Sequence, residues 1–149
     1  MNPASPKLAT VRYLALLPWP LLALALCIGF GLLMNPYFFA GAAITGVFVA
    51  WLLWLIPAQV KKLGWQETED ELLLTKGKLW HTFTVIPYGR IQFVDVKAGP
   101  IERAFGLKHV ELHTASSTSD ATVRGLLAAD ADALRDRLAE RARERMSGL

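Results

Sequence analysis

Two histidines and one glutamate alternate with apolar residues from His109 to His113. Residues i and i+2 of a β-strand point to the same side, about 6.5–7 Å apart, so His109, Glu111 and His113 share one face. Imidazole and carboxylate groups bind zinc, which makes a metal site one interpretation. No cysteine or further histidine lies nearby in the sequence, and the spacing is not that of helical His-Glu-x-x-His. The other interpretation, which we prefer, is a solvated strand face with Val110 and Leu112 buried behind it, so we predict no metal site and no cofactor.

Catalytic motifs have little support elsewhere in the chain. Ser116, Ser117 and Ser119 lie in a polar turn that lacks the nucleophile elbow of a serine hydrolase. The sequence holds no phosphate-binding glycine loop of the P-loop or dinucleotide type. We therefore predict no catalytic residues and a non-enzymatic protein.

The stretch from Tyr13 to Ile56 contains no charged residue and no histidine. It divides into two apolar runs, 14–34 with 21 residues and 37–56 with 20 residues, which only Asn35-Pro36 separates. A bilayer core about 30 Å thick needs about 20 helical residues. The pattern predicts a transmembrane hairpin at 13–60, a basic leader at 1–12 and a separate domain at 61–149.

Basic residues lie at both ends of this predicted hairpin and not in its turn. Lys7 and Arg12 precede the first span, and Lys61 and Lys62 follow the second. Lysine and arginine near span ends favour the cytoplasmic side. We predict a cytoplasmic N-terminus and a cytoplasmic C-terminal domain, with Lys61 and Lys62 at the membrane surface.

Small residues recur at every fourth position in each apolar run. Such stripes permit close packing of helices in lipid, so they are candidates for the seam of the hairpin or of a homo-oligomer. The alternative is that alanine and glycine are simply common in spans. The residues concerned are Ala23, Cys27 and Gly31 in the first run, and Ala42, Gly46 and Ala50 in the second.

The segment after the hairpin changes from a period of two to a helical period. Short alternating stretches bounded by turn residues predict strands, at 64–69, 71–76, 79–86, 90–97, 107–114 and 121–125. A helix follows at about 129–145, because five apolar residues share one helical face. Those residues are Leu127, Ala131, Leu134, Leu138 and Ala142.

The charge of residues 61–149 is nearly balanced, with 14 Lys and Arg against 13 Asp and Glu. A nucleic-acid-binding domain usually has a strong basic excess, so we predict no nucleic-acid partner. Four basic residues could still form a local patch that contacts lipid headgroups, or they could serve structural ion pairs. They are Arg90, Lys97, Arg103 and Lys108.

Two stretches carry a family resemblance: VIPYGRIQFVDV at 85–96 and GPIERAFGL at 99–107, followed by the alternating segment 110–114. They resemble the YdbS-like bacterial PH-domain membrane proteins, and the resemblance covers essentially the whole chain. Where that family often has a glycine-rich turn and an IPGL-like step, this chain has 116–119 and 123–126.

The resemblance implies a helical membrane hairpin joined to a mainly-β PH-like barrel of six or seven antiparallel strands, capped by the C-terminal helix. It also implies a bacterial inner-membrane protein, with a larger membrane protein carrying several PH-like copies as a plausible partner. We therefore expect a protein-interaction or scaffolding module in a membrane complex. The alternative is a PH-like module that binds anionic lipid directly.

Overall fold

The computed structural model describes residues 2–77 and 80–148. Its helices are α1 (Lys7–Leu16), α2 (Pro18–Leu33), α3 (Phe38–Lys61), α4 (Pro100–Ala104) and α5 (Ala128–Ser147). Its strands are β1 (Asn2–Pro3), β2 (Gly64–Glu67), β3 (Glu71–Lys76), β4 (Thr82–Pro87), β5 (Ile91–Lys97), β6 (Leu107–Thr114) and β7 (Ala121–Leu127). Short 3-10 turns cover Tyr88–Arg90 and Ser117–Ser119.

The first apolar run is not one straight helix beginning near residue 14. Helix α1 begins earlier, at Lys7, and the chain bends by 41° between α1 and α2. Pro18 is the first residue of α2. Proline lacks the amide hydrogen of a helical residue, and its ring clashes with the preceding turn. The bend therefore lies at Pro18, inside the predicted first span.

Helix α3 is long and apolar enough to cross a membrane, judged by length and composition. The bent pair α1 and α2 would make a second candidate if it counts as one span. Only 17% of the most apolar part of α3 is buried. Most exposed large hydrophobic side chains of the described residues lie between Leu14 and Trp54. So large an apolar surface requires a non-aqueous environment or a partner.

Contacts of α1 and α2 with α3 run in opposite directions along the chain. The Tyr13 hydroxyl donates to the Leu53 carbonyl at 2.9 Å, Cys27 lies against Gly41, and Gly31 lies against the ring of Phe39. The residue numbers rise along α2 from Cys27 to Gly31, and those of their contacts in α3 fall from Gly41 to Phe39. Helices α2 and α3 therefore pack antiparallel. The Asn35 side chain accepts the amide of Tyr37 at 3.1 Å in the turn between them.

The six small residues of the two predicted stripes do not share one environment. Cys27 and Gly31 face α3, and Ala42 is buried. Ala23 and Ala50 are exposed, and a side chain at Gly46 would meet no atom within 4 Å. Small residues therefore make close contacts in the half of the helix pair nearer the turn, and those farther from the turn are uncovered.

Seven strands form two antiparallel sheets within the described residues. The first has the order β1-β2-β3-β4 and the second β5-β6-β7. All six predicted strand segments appear, although the start of the segment at 79 and the turn residue Lys78 lie outside the described residues. Leu72 lies opposite Ile86 in the first sheet, and Val110 lies opposite both Val96 and Val123 in the second.

Helix α5 packs across the core with the apolar face that its sequence predicts. Ala131, Leu134 and Leu138 are fully buried, and Ala142 is nearly so. The sequence pattern predicts Leu127 on this face as well, and that prediction is wrong. Its backbone is extended, it pairs with Leu107 as the last residue of β7, and its side chain is 44% exposed.

Three arginines on α5 hold the turn between β2 and β3. Arg137 donates two hydrogen bonds to Glu67, at 3.0 and 2.8 Å, Arg141 donates to the carbonyl of Thr68, and Arg145 pairs with Asp70. The Glu67 carboxylate raises the pKa of Arg137. Spacing of four residues places all three guanidinium groups along one side of the helix.

The N-terminal segment is part of the folded domain. Strand β1 pairs with β2, and the amide of Ser5 donates to the carbonyl of Gly125 at 2.7 Å. Ala4, Leu8, Val11, Val60 and Leu107 form a second apolar cluster. This cluster joins α1, the end of α3 and the start of β6, so it connects the apolar helices to the sheets.

Replacing Gly125 by valine should destabilise this connection by about 2 kcal/mol or more. Gly125 has φ of +76°, and a Cβ there would lie 2.8 Å from the Ala4 Cβ and 3.0 Å from the Leu8 Cδ2. The thermal midpoint of the full-length protein in detergent would report the loss. Gly89→Ala is the control, since its Cβ would meet Arg145 at an ordinary 3.8 Å. Equal midpoints for the two variants would contradict the close packing.

Candidate functional site

Strand β6 presents its polar residues on one face and its apolar residues on the other, as its sequence predicts. Val110 and Leu112 are fully buried, while His109, Glu111 and His113 are partly exposed on the outer face. Neighbouring strand β5 adds Asp95, opposite Glu111, and Lys97, opposite His109. We call this surface the acidic face, and it comprises Asp95, Lys97, Glu102, His109, Glu111, His113 and Asp120.

The side chains of the acidic face bind one another. Nδ1 of His109 donates to Glu102 at 2.9 Å, and the same carboxylate accepts the amide of Gly99 at 3.0 Å at the start of α4. Lys97 donates to Glu111 at 2.6 Å. The hydrogen bond between Lys97 and Glu111 raises the pKa of Lys97 and lowers the pKa of Glu111.

His113 forms the other end of this network. Its Nδ1 donates to Asp120 at 3.2 Å, and its Nε2 lies 3.5 Å from Asp95. The ring of Phe93 stacks on the imidazole with a centroid distance of 4.3 Å. Asp120 also accepts the backbone amide of Thr114 at 2.9 Å, and that bond chiefly lowers the pKa of Asp120.

The predicted basic patch is not one continuous surface. Arg90 precedes β5 and Lys97 ends it, so about 20 Å of strand separates them. Lys97 pairs with Glu111 at 2.6 Å, and Lys108 pairs with Asp132 at 3.2 Å. Arg103 is exposed on α4. Lys97 and Lys108 are already neutralised, so this end of the second sheet lacks the surplus positive charge that attracts anionic lipid.

Acid should destabilise the second sheet through Glu111 and Asp120. Both pKa values are lower in the folded protein, so their stabilisation is present above the unfolded-state pKa and is lost as the pH falls through the folded pKa. In Lys97→Met the pKa of Glu111 should rise towards its ordinary value. This variant should therefore lose less stability than the wild type between about pH 6 and about pH 3.

Thermal unfolding of full-length protein across that pH range measures this difference. Lys62→Met serves as the control, because it removes an equal charge from the end of α3. An acid loss that is identical in wild type and Lys97→Met would contradict the assigned role of the Lys97–Glu111 pair.

A metal centre finds no support on this surface. Within residues 2–77 and 80–148, no group of three His, Cys, Asp or Glu side chains is arranged to hold a metal ion. Both histidines instead bind carboxylates of other elements. The absence of catalytic residues stays a prediction.

Strand β4 forms an exposed edge of the first sheet. It pairs with β3 on one side, and no described strand pairs with its other side. Phe83 is 58% exposed and Val85 is 42% exposed, and both point to the outer face because they alternate with Thr84 and the buried Ile86. An edge strand with exposed apolar side chains is a template for pairing with another chain. We call Phe83, Val85 and the free side of β4 the β4 edge.

Basic residues gather where the apolar helices meet the sheets. Lys61 and Lys62 are exposed at the end of α3. Arg12 of α1 donates to the side chain of Gln59 on α3 at 3.3 Å. An open cleft of about 230 Å³ lies beside them, lined in part by Lys76 and by Trp80, which is 85% exposed. The local sequence pattern did not indicate Lys76 or Trp80, because their proximity to Arg12 depends on the tertiary packing.

Two antiparallel sheets and the helix α5 packed against them share one apolar core. The sequence matches the family model described as Bacterial PH domain over residues 10–142. The match begins in α1, covers α2, α3 and strands β2 to β7, and ends in α5. The chain therefore belongs to the Bacterial PH domain family. No curated protein and no solved structure matches it.

Proposed function

We propose that this chain is a non-enzymatic protein of the bacterial inner membrane, of the YdbS-like kind, whose PH-like module binds another membrane protein. The β4 edge carries this proposal. Its free side has no paired strand among residues 2–77 and 80–148, and the side chains of Phe83 and Val85 are exposed beside it. An extended segment of a partner can add to such an edge by main-chain hydrogen bonds, with pockets or patches for alternate side chains.

Membrane placement follows from the apolar helices and their flanking charges. Helix α3 and the bent pair α1 and α2 would cross the bilayer as an antiparallel hairpin, with Asn35-Pro36 on the outer side. Lys7, Arg12, Lys61 and Lys62 favour the cytoplasm for both ends of the hairpin. The module would then lie at the inner surface, where only partners in or near the membrane reach the β4 edge.

The acidic face disfavours lipid as the main partner of the second sheet. Its four carboxylates outnumber Lys97 when both imidazoles are neutral, so an anionic leaflet would repel it. A larger membrane protein with several PH-like copies remains the partner class that the family resemblance implies. Lipid recognition, the second candidate function, depends instead on the cations beside α1.

Site-specific photo-cross-linking in native membranes tests the main proposal. A photoreactive residue at Val85 should capture a membrane protein, and the same residue at Arg143, which is exposed on α5, should not. Adding Phe83→Lys to the variant with the probe at position 85 should abolish the adduct, because charge on an edge strand blocks pairing. Recovery of an uncross-linked monomer from every sample would overturn the proposal.

Membrane insertion needs its own measurement. The full-length protein should stay in the pellet after alkaline carbonate extraction, and a reporter fused after Leu149 should be active only in the cytoplasm. Release of the protein into the carbonate supernatant, or an external reporter, would refute the membrane placement whatever the cross-linking shows.

A further inference from the structure

Three cations from separate elements converge beside the end of α3. They are Arg12 on α1, Lys76 at the end of β3 and Arg124 on β7. Arg12 and Lys76 line the cleft of about 230 Å³, and Lys76 and Arg124 line a neighbouring cleft of about 350 Å³. Lys76 therefore lies between the other two. We call these three residues the junction cations.

No carboxylate of residues 2–77 and 80–148 forms an ion pair with a junction cation. This distinguishes them from Lys97, Lys108 and Arg137, each of which has an acidic partner. Arg124 is close enough to Arg12 for the two charges to repel. The polar partner of Arg12 is the neutral amide of Gln59. Like charges held together without an acid favour binding of an anion.

The depth of this group relative to the membrane indicates which anion. Counting from Phe38, about 20 helical residues at about 1.5 Å each cover the hydrocarbon core. The core then ends near Pro57, so Gln59 lies in the headgroup layer, which extends roughly 5–8 Å further. Arg12 is bonded to Gln59 and shares this depth.

Trp80 supports the same placement. It lies in the cleft beside Gln59 and Arg12, and it is 85% exposed although tryptophan is largely apolar. Tryptophan is enriched at the membrane–water interface, where its ring and its N–H are both satisfied. An exposed tryptophan beside unpaired cations at headgroup depth is typical of a surface in contact with lipid.

We propose that the junction cations bind the phosphate of an anionic glycerophospholipid of the adjacent leaflet, with Trp80 seated in the interface beside it. This inference rests on the proposed membrane placement and gives the second candidate function a specific site. Guanidinium groups bind phosphate oxygens through paired hydrogen bonds, and a lysine adds a point charge. A lipid clamped here would fix the orientation of the module relative to the bilayer.

Native mass spectrometry of the full-length protein, released from detergent and titrated with phosphatidylglycerol or phosphatidylcholine, measures this binding. Wild-type protein should retain phosphatidylglycerol in preference to phosphatidylcholine. The double variant Lys76→Gln, Arg124→Gln should bind phosphatidylglycerol roughly thirtyfold more weakly, since each cation near the surface contributes about a fivefold factor. It leaves Arg12 intact, because Arg12 also contributes to membrane orientation.

A charge-matched control, Arg135→Gln with Arg143→Gln on the exposed side of α5, should bind phosphatidylglycerol like the wild type. The difference in tryptophan fluorescence between wild type and Trp80→Phe isolates the Trp80 emission, and brominated lipid in reconstituted vesicles should quench it. Competition by free glycerol 3-phosphate separates the two sources of phosphate, and lipid should win. All variants are first compared with wild type by circular dichroism, and only folded variants are scored.

Three results would overturn the inference. The first is that both double variants weaken phosphatidylglycerol binding equally. The second is that the wild type retains phosphatidylglycerol and phosphatidylcholine equally. The third is that glycerol 3-phosphate binds stoichiometrically in place of lipid. A protein that resists carbonate extraction but gives any of them retains the proposed membrane placement and loses only this site. A protein that carbonate releases loses the membrane placement itself.

Discussion

Replacing Tyr88 by alanine is expected to lower the free energy of unfolding by about 3–5 kcal/mol. Tyr88 is fully buried between the two sheets and α5. Its hydroxyl donates to the Thr68 carbonyl at 2.7 Å and accepts from Arg141 at 3.2 Å. The Arg141 guanidinium also lies 5.2 Å from the ring centroid. Truncation would remove the ring and take one hydrogen-bond partner from each of Thr68 and Arg141, which remain bonded to each other.

The hydroxyl and the ring can be separated by a second substitution. Burial raises the pKa of Tyr88, so the hydroxyl stays protonated and donates at neutral pH. Tyr88→Phe keeps the ring and should cost about 1–3 kcal/mol, the penalty for a buried acceptor and a buried donor that lose one partner. Arg141→Met and the double variant complete a mutant cycle, and a coupling above about 0.5 kcal/mol would show that the two side chains act together.

Denaturant unfolding of full-length protein in detergent, followed by near-UV circular dichroism, measures these differences. A Tyr88→Ala variant as stable as Tyr88→Phe would mean that the ring contributes nothing. Zero coupling in the cycle would show that Arg141 stabilises the β2–β3 turn independently of Tyr88.

Leu138→Ala should cost about 2–5 kcal/mol. Leu138 is fully buried against the core, one helical turn from the equally buried Leu134. The cavity would lie between α5 and both sheets, because the same core cluster contains Leu72 and Val110. For a domain of this size each 1 kcal/mol lowers the thermal midpoint by about 4–8 °C. The expected fall is therefore at least about 8 °C.

Leu127→Ala is the matched control for this substitution. Both leucines belong to the set of apolar residues that recur at helical spacing in the sequence. Leu127, however, ends β7 and is 44% exposed. Its truncation should cost less than about 1 kcal/mol. A loss at Leu127 equal to that at Leu138 would contradict the placement of Leu127 outside the buried face of α5.

Local residue patterns were sufficient for the elements of the module. Alternation of apolar and polar residues, together with flanking turn residues, located all six strand segments, and the helical period located α5 within two residues at each end. Both follow because side-chain direction repeats every two residues in a strand and every 3.6 in a helix. Leu127 shows the limit, because the pattern marks which residues are apolar but not where an extended backbone becomes helical.

The Pro18 bend could have been inferred from the sequence, whereas the role of the N-terminal segment could not. Proline inside a helix has a local steric effect, and Pro18 and Pro20 are visible in the first apolar run. Strand β1 is only two residues long, and it exists because β2 offers an edge and because Gly125 leaves space for Ala4. No residue pattern in the leader at 1–12 predicts that contact.

Charge balance is the property that the sequence alone determined best, and charge pairing is the one that the tertiary structure decided. The count of acids and bases alone shows that residues 61–149 carry no strong basic excess, and the absence of a nucleic-acid partner stays a prediction. Lys97 and Lys108 form ion pairs with acidic residues of the same chain. Arg12, Lys76 and Arg124 have no acidic partner within the described residues. Electrostatic energy depends on distances in space, and the chain brings these groups together from an N-terminal helix and two different sheets.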